Sequence, residues 1–356
     1  MKYYIREIVI DEGIQKTAGV KARDDVEYIL ESKGIKPLNI PSQTMNRHET
    51  GVVSKVMDHV RIFEIWKKSL SQLKKGDQII IQFPAVEHSI FLPRLVRSLT
   101  KKGVFVDLII HDLELLRVAK RNDISRMKKI RLKLEEEKML ENSSRVIVHN
   151  RAMKEYVHSL GIRKEKLISL NIFDYLIPDF DSREHAADHA CKNDPIIIAG
   201  NLRRHKAEYI YHLPNQTSFN LYGVGYEGKI TDQIQYMGSF LPDELPFVLK
   251  GSFGLVWDGE SSETCTGAYG EYLKINNPHK TSLYLASDIP VVIWKKAALA
   301  AYIEKNQCGI TVNSLDEISE RISQMTDEEY AVLKANAKKV GKHLRNGYNL
   351  IKTGIL

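Results

Sequence analysis

Three short segments of this chain combine residue types that do chemistry. At 111–117, HDLELLR follows the apolar run VFVDLII, so His111, Asp112 and Glu114 stand where a strand runs out. In layered α/β domains the carboxyl ends of strands face the ligand crevice. A carboxylate or imidazole placed there can take the proton of an attacking hydroxyl. Asp112 is set slightly ahead of His111, because a cleft carboxylate can also orient that hydroxyl. The competing reading makes Asp112 a helix cap and His111 structural. At 200–207, GNLRRHKA follows the strand-like IIIA and gathers Arg203, Arg204, His205 and Lys206 near a helix start. Guanidinium groups grip phosphate oxygens with paired hydrogen bonds, although a solvated basic turn is the commoner meaning of such a cluster. At 276–282, NNPHKTS opens a helix, with Pro278 tolerated in the first turn. Free backbone N–H groups there, beside Lys280 and Thr281, suit a diphosphate; a helix cap with solvated polar residues fits the spacing equally well. The loop DEGIQKTAG at 11–19 offers Thr17 as a ligand contact or a cap.

The elements that must position these residues alternate between short apolar runs and helical periods, the pattern of α/β architecture with mostly parallel sheets. Strands are expected at 3–10, 35–40, 78–83, 105–111, 145–149 and 167–170, and again at 196–199, 220–222, 235–237, 254–257, 291–294 and 310–312. Helices are expected at 20–33, 59–75, 89–102, 124–142 and 151–160, then at 241–250, 280–287, 297–306, 315–325 and 327–345. The polar stretch DFDSREHAADHACKND at 179–194 reads as a linker. The expected division is therefore 1–174 and 195–335 as two Rossmann-like domains, 175–194 as linker, and 336–356 as a helix packing back on the first domain. A cleft between two such domains is a favoured ligand site.

Composition sets the outer bounds. A chain of 356 residues suits two domains, and 43% hydrophobic with 27% charged residues is a globular balance. The opening MKYYIREIVI reads as a strand rather than a signal peptide, and the apolar runs near 290–303 are split by Lys295 and Lys296. Three cysteines without CxxC spacing argue against a disulfide framework or a zinc site and favour a reducing cytosol. The net charge of +7 is concentrated: residues 117–133, RVAKRNDISRMKKIRLK, carry eight basic residues against Asp123 alone. Such a stripe implies an anionic partner. It holds no aromatic residue to stack on a base, and no RRM, KH or zinc motif occurs, so nucleic acid is set aside. No P-loop or GxGxxG follows a strand, so ATP and NAD lack their usual warrant. If 124–142 is a helix, Ile124, Met127, Ile130 and Leu134 share one face, expected to pack on the first domain while the basic side meets anionic lipid.

The run from 272 to 318, YLKINNPHKTSLYLASDIPVVIWKKAALAAYIEKNQCGITVNSLDEI, resembles the donor domain of a bacterial family of GT-B glycosyltransferases. That family includes β-1,6-galactofuranosyltransferases of surface-polysaccharide synthesis, and glucosyltransferases that extend O-linked N-acetylglucosamine on serine-rich adhesins. IIHDLELLR, FGLVWDG and the tail RNGYNLIKTGIL add to the likeness, which is dense over about residues 251–356. The resemblance implies a GT-B fold with the nucleotide held mainly by the second domain. Residue by residue, it implies donor-site roles for Asn277 and Lys280 of NNPHK and for Tyr222 of LYG. It puts Arg203 or Arg204 in the phosphate-binding turn and Thr17 in a loop reaching across the cleft. His279 matches the motif variant associated with galactofuranose, which makes UDP-galactofuranose the first donor and UDP-glucose the alternative. Glu263 and Glu271 have the spacing of paired glutamates in retaining GT-B enzymes, but ETCTGAYGE reads as a polar loop, so inversion is preferred. Basic side chains and helix N-termini can offset the leaving diphosphate's charge, and no DxD motif stands in a metal-binding setting, so no metal is expected. The acceptor is expected to be a lipid-linked glycan or glycoprotein, and the enzyme cytoplasmic and peripheral on the inner face of the membrane. A homo-oligomer is left open, as is a GT-B partner subunit without activity.

Overall fold

Runs such as QIIIQF and FVDLII can be apolar without alternation only if both faces of a strand are covered. In the computed structural model, which describes residues 1–9, 18–42, 52–87, 89–118 and 124–356, that is their position. Strands β1 (Lys2–Val9), β2 (Lys36–Ser42), β3 (Gln78–Phe83), β4 (Phe105–Ile110), β5 (Arg145–Val148) and β6 (Leu167–Ser169) form a parallel sheet of order β2-β1-β3-β4-β5-β6. Strands β7 (Ile196–Asn201), β8 (Phe219–Val224), β9 (Ile234–Gly238), β10 (Gly254–Val256), β11 (Val291–Trp294) and β12 (Gly309–Val312) form a second, of order β12-β11-β10-β7-β8-β9. Each sheet lies between helices, and each expected strand falls on one of these. The order reverses between β1 and β3 and between β7 and β10, the switch points beside which a doubly wound sheet opens its crevice.

Helix limits depart more. The helix expected at 59–75 runs Val52–Leu70 instead. The one expected at 241–250 shrinks to Leu245–Val248, with Pro246 in its first turn. ETCTGAYGE is not wholly a loop, since Gly267–Tyr272 is helical. One helix spans Asp327–Arg345 and so crosses the division drawn at 335/336. Beyond it Gly347, at φ +67°, turns the chain against the helix Ala18–Ser32; a Cβ there would meet Ile29 Cγ1 at 2.8 Å. Leu350 and Ile355 then join Tyr4, Leu30, Ile80 and Ile109 in the core of the first domain. Asp174 fastens this tail by accepting the Asn349 and Leu350 N–H groups at 3.0 and 2.8 Å.

Candidate active site between the domains

The two domains meet through a buried polar seam. His149, just past β5, donates from Nε2 to the Ile110 carbonyl at 3.0 Å, which leaves Nδ1 to accept the Asn277 N–H at 2.9 Å. Burial pushes the imidazole down to about 4, so it stays neutral and both bonds persist. The Asn277 side chain donates to the carbonyls of His149 and Asn171 at 2.8 and 3.0 Å and accepts from Asn150 Nδ2 at 2.7 Å. With its amide spent in this way and the residue 4% exposed, Asn277 joins the domains rather than facing a ligand. Tyr222 is likewise withdrawn. It is buried, its hydroxyl donates to the Val248 carbonyl at 3.1 Å and it accepts the Lys250 N–H at 2.9 Å. What the LYG segment supplies at the strand ends is Gly223, at φ +142°, where a Cβ would sit 1.8 Å from the Gly200 carbonyl oxygen.

On the first-domain side, His111 and Asp112 stand at the carboxyl edge as expected. Asp112 is held by Arg117 at 2.9 Å. The Tyr272 hydroxyl accepts the Leu113 N–H at 2.9 Å and bonds Asp112 from the opposite domain. Burial raises the Asp112 pKa, and Arg117 and Tyr272 oppose that rise. The net direction is upward, so it is the pairing with Arg117 and Tyr272, not weak basicity, that sets Asp112 apart from His111. His111 differs: it is half-buried, stacked on Phe173 with centroids 5.5 Å apart, and bonded through Nε2 to Gln82 Oε1 at 2.7 Å. Burial, then Arg23, His149 and His279, hold its pKa well below the usual imidazole range, so it is a neutral imidazole at pH 7.

On the second-domain side, Lys280 Nζ donates to the Trp257 carbonyl and to Asp258, each at 2.9 Å, which sets an ammonium at the end of β10 beside the switch point. The basic turn after β7 divides its labour. Arg204 pairs with Glu208 at 2.7 Å and lies over the Tyr211 ring at 3.8 Å; Arg203 is exposed and lies against Gly225. Lys206, which the sequence grouped with them without singling it out, lies 5.9 Å from the Tyr269 ring and interacts with charges of both domains. Burial lowers its pKa, Asp258 and Asp112 oppose that, and Lys280 and Arg117 add to it, so it feels charges from both domains. Its signal was present, since four basic residues on one short turn cannot all point the same way. His279 opens the helix His279–Ala286 with its ring 6.0 Å from Phe173 and 5.0 Å from Tyr175. Burial and Lys21 push its imidazole down to about 3. Thr17 lies outside the described residues. Among the described residues no group of three or more His, Cys, Asp or Glu is placed to hold a metal.

The basic helix Arg126–Asn142 reverses an expectation. Its buried side is Leu132, Glu135, Glu136, Met139 and Leu140, whereas Met127, Ile130 and Leu134 are 75%, 45% and 56% exposed. The reason is local. Glu136 turns inward to accept the Leu115 N–H at 2.9 Å, with burial pushing its carboxyl up to about 8, and this rolls the apolar triplet outward. The helix Glu114–Val118 that Glu136 caps packs against Gly267–Tyr272 of the second domain.

The C-terminal domain of the glucosyltransferase 3-like family matches residues 196–354, and its N-terminal domain matches residues 2–172. The β-1,6-galactofuranosyltransferase WbbI of Escherichia coli K12 is 36% identical over 338 residues, covering 94% of this chain and 92% of WbbI. Glucosyltransferase 3 of Streptococcus parasanguinis is 23% identical over 98% of this chain and 95% of its own length. Among solved structures, HepE of Anabaena in complex with UDP superposes with a TM-score of 0.57 over 100% of this chain and 99% of HepE, at 12% identity. At that identity the likeness speaks for the fold, two facing Rossmann-like domains of the GT-B kind.

Proposed function

Because the chain belongs to the glucosyltransferase 3-like family, we propose that it transfers galactofuranose from UDP-galactofuranose to a glycan acceptor, with inversion and without a metal. The observation that supports this reading is the meeting of charged groups where the domains join: Lys206 interacts with Lys280 and Asp258 of its own domain and with Asp112 and Arg117 of the other, and the neutral His111 adjoins Asp112. The likeness to WbbI supports the donor sugar. UDP-glucose is the second donor, favoured by the full-length likeness to glucosyltransferase 3. Lys206 and Lys280 hold the diphosphate, with Arg203 at the rim. In the transfer, the acceptor oxygen bonds to the anomeric carbon and its proton passes to His111. The bond from that carbon to the diphosphate oxygen breaks, and its electron pair leaves on the UDP. Asp112 keeps Arg117 at the cleft. Turnover of UDP-, GDP- and dTDP-sugars by the purified protein tests this; a preference for a GDP- or dTDP-sugar contradicts it.

The acceptor on this reading is a lipid-linked glycan, met at the inner face of the cell membrane. Met127, Ile130 and Leu134 enter the interface while Arg126, Lys128 and Lys133 meet anionic headgroups. Each such cation contributes about 1 kcal/mol near an anionic surface, and screening weakens that as salt rises. Co-sedimentation should therefore favour anionic over neutral vesicles, and both Arg126→Glu with Lys128→Glu and Met127→Ser with Ile130→Ser should reduce it. Equal recovery on both vesicle types contradicts docking.

A further inference from the structure

Gln82 is a polar residue near the end of an apolar strand, 4% exposed, and a buried amide is costly unless its hydrogen bonds are made. Its Oε1 lies 2.7 Å from His111 Nε2, and its Nε2 lies 3.3 Å from Glu27 Oε1 and 3.5 Å from the Arg23 carbonyl. The amide orientation follows from the partners. A carboxylate and a carbonyl can only accept, so the NH2 group must face Glu27 and Arg23 and the oxygen must face His111. An amide oxygen cannot donate, so His111 carries its proton on Nε2 and its lone pair on Nδ1. Glu27 is itself held by Arg6 at 2.7 Å, and the Phe173 ring lies parallel to the imidazole within 9°.

We propose that Gln82 is a positioning residue that locks His111 in the tautomer with Nδ1 free to accept the acceptor's proton, with Glu27 fixing the amide that does so. The proposal rests on the reading of His111 as the base. A carboxylate in the place of Gln82 would hold the same tautomer but would favour imidazolium; the neutral amide holds it without that bias. The charged and titratable groups that face the imidazole act with the lock. Arg23 from the helix Ala18–Ser32, His149 beyond β5 and His279 from the second domain all disfavour a second proton. Asp112 is the adjacent residue, and Glu27 stands behind the amide.

The tautomer is measurable without turnover. Long-range 1H–15N correlation of 15N-histidine protein, with His111 assigned by its loss in His111→Phe, should show a bare Nδ1 and a protonated Nε2. The opposite pattern overturns the proposal. Gln82→Met should lower turnover by about 10- to 10⁴-fold, the upper figure being the cost of a wrong tautomer in a general base. Gln82→Glu combined with Glu27→Gln, which removes the facing carboxylate, should keep turnover at high pH and move the acid limb of the pH profile up by about 1–3 units. UDP affinity, read by calorimetry, should be unchanged in both and reports that they are folded. An unmoved acid limb in the folded Gln82→Glu, Glu27→Gln protein also overturns the proposal. A bare Nδ1 together with full turnover in His111→Phe overturns the base reading alone, which separates the two failures.

Discussion

His111→Ala should lower turnover by about 10²–10⁴-fold, the usual contribution of a general base, while leaving UDP affinity nearly unchanged. The argument runs from the two candidates' neighbours. Asp112 already shares a bond of 2.9 Å with Arg117 and another with Tyr272, so its charge is committed. His111 has one nitrogen tied to Gln82 and is kept neutral by its surroundings. The sign of the pH dependence follows. A base must be unprotonated to act, and the His111 pKa lies well below the usual 6.5, so turnover should hold as pH falls through 6.5 and fail only beneath it. Asp112→Asn should reduce turnover less than His111→Ala, through a loosened Arg117. Steady-state kinetics across pH decides. Full activity in His111→Ala with a large loss in Asp112→Asn would exchange the two roles.

Lys280→Ala should weaken UDP binding by about 1.5–3 kcal/mol, the range of a hydrogen bond to a charged group, which is roughly a 10- to 150-fold rise in Kd. The loss has two parts. The ammonium beside the diphosphate disappears, and Asp258, now held at 2.9 Å by Lys280, is left as an uncompensated carboxylate facing an anion. Adding Asp258→Asn to Lys280→Ala should therefore restore part of the affinity, which a merely structural lysine would not show. Lys206→Ala should weaken binding in the same direction, and Arg204→Ala much less, because that guanidinium is turned onto Tyr211 and Glu208. Calorimetry with UDP reads all four. Unchanged affinity in folded Lys280→Ala would remove this lysine from the donor site.

The strands and the double Rossmann-like layout were legible because burial on both faces forces continuous apolar runs, and few other structures tolerate VVIW or IIIAG in sequence. The site was legible only where function follows from position along a strand. His111, Asp112 and Lys280 stand at strand or helix ends, which local sequence marks. The bonds that Asn277 and Tyr222 make within the fold were not legible because their partners are remote; the Asn277 amide donates to His149, 128 residues away. A motif residue that closes the fold and one that touches a ligand look alike in a single sequence. The helix after Ser125 failed for a different reason. Its apolar triplet repeats at helical spacing, but so does the stripe of Leu132, Glu135, Glu136 and Met139, and a buried glutamate is the member that periodicity passes over. Gln82 was hidden for the same cause, as a polar letter in a run read as apolar.

The central claim is a single displacement at the anomeric carbon of a UDP-sugar, with His111 taking the proton. The anomeric configuration of the first product formed from UDP-α-galactofuranose, read by proton NMR before any equilibration, tests it most directly. A β-linked product is predicted, formed by wild-type protein and lost in His111→Ala. An α-linked product would mean retention, and would contradict both the single displacement and the need for a base at His111.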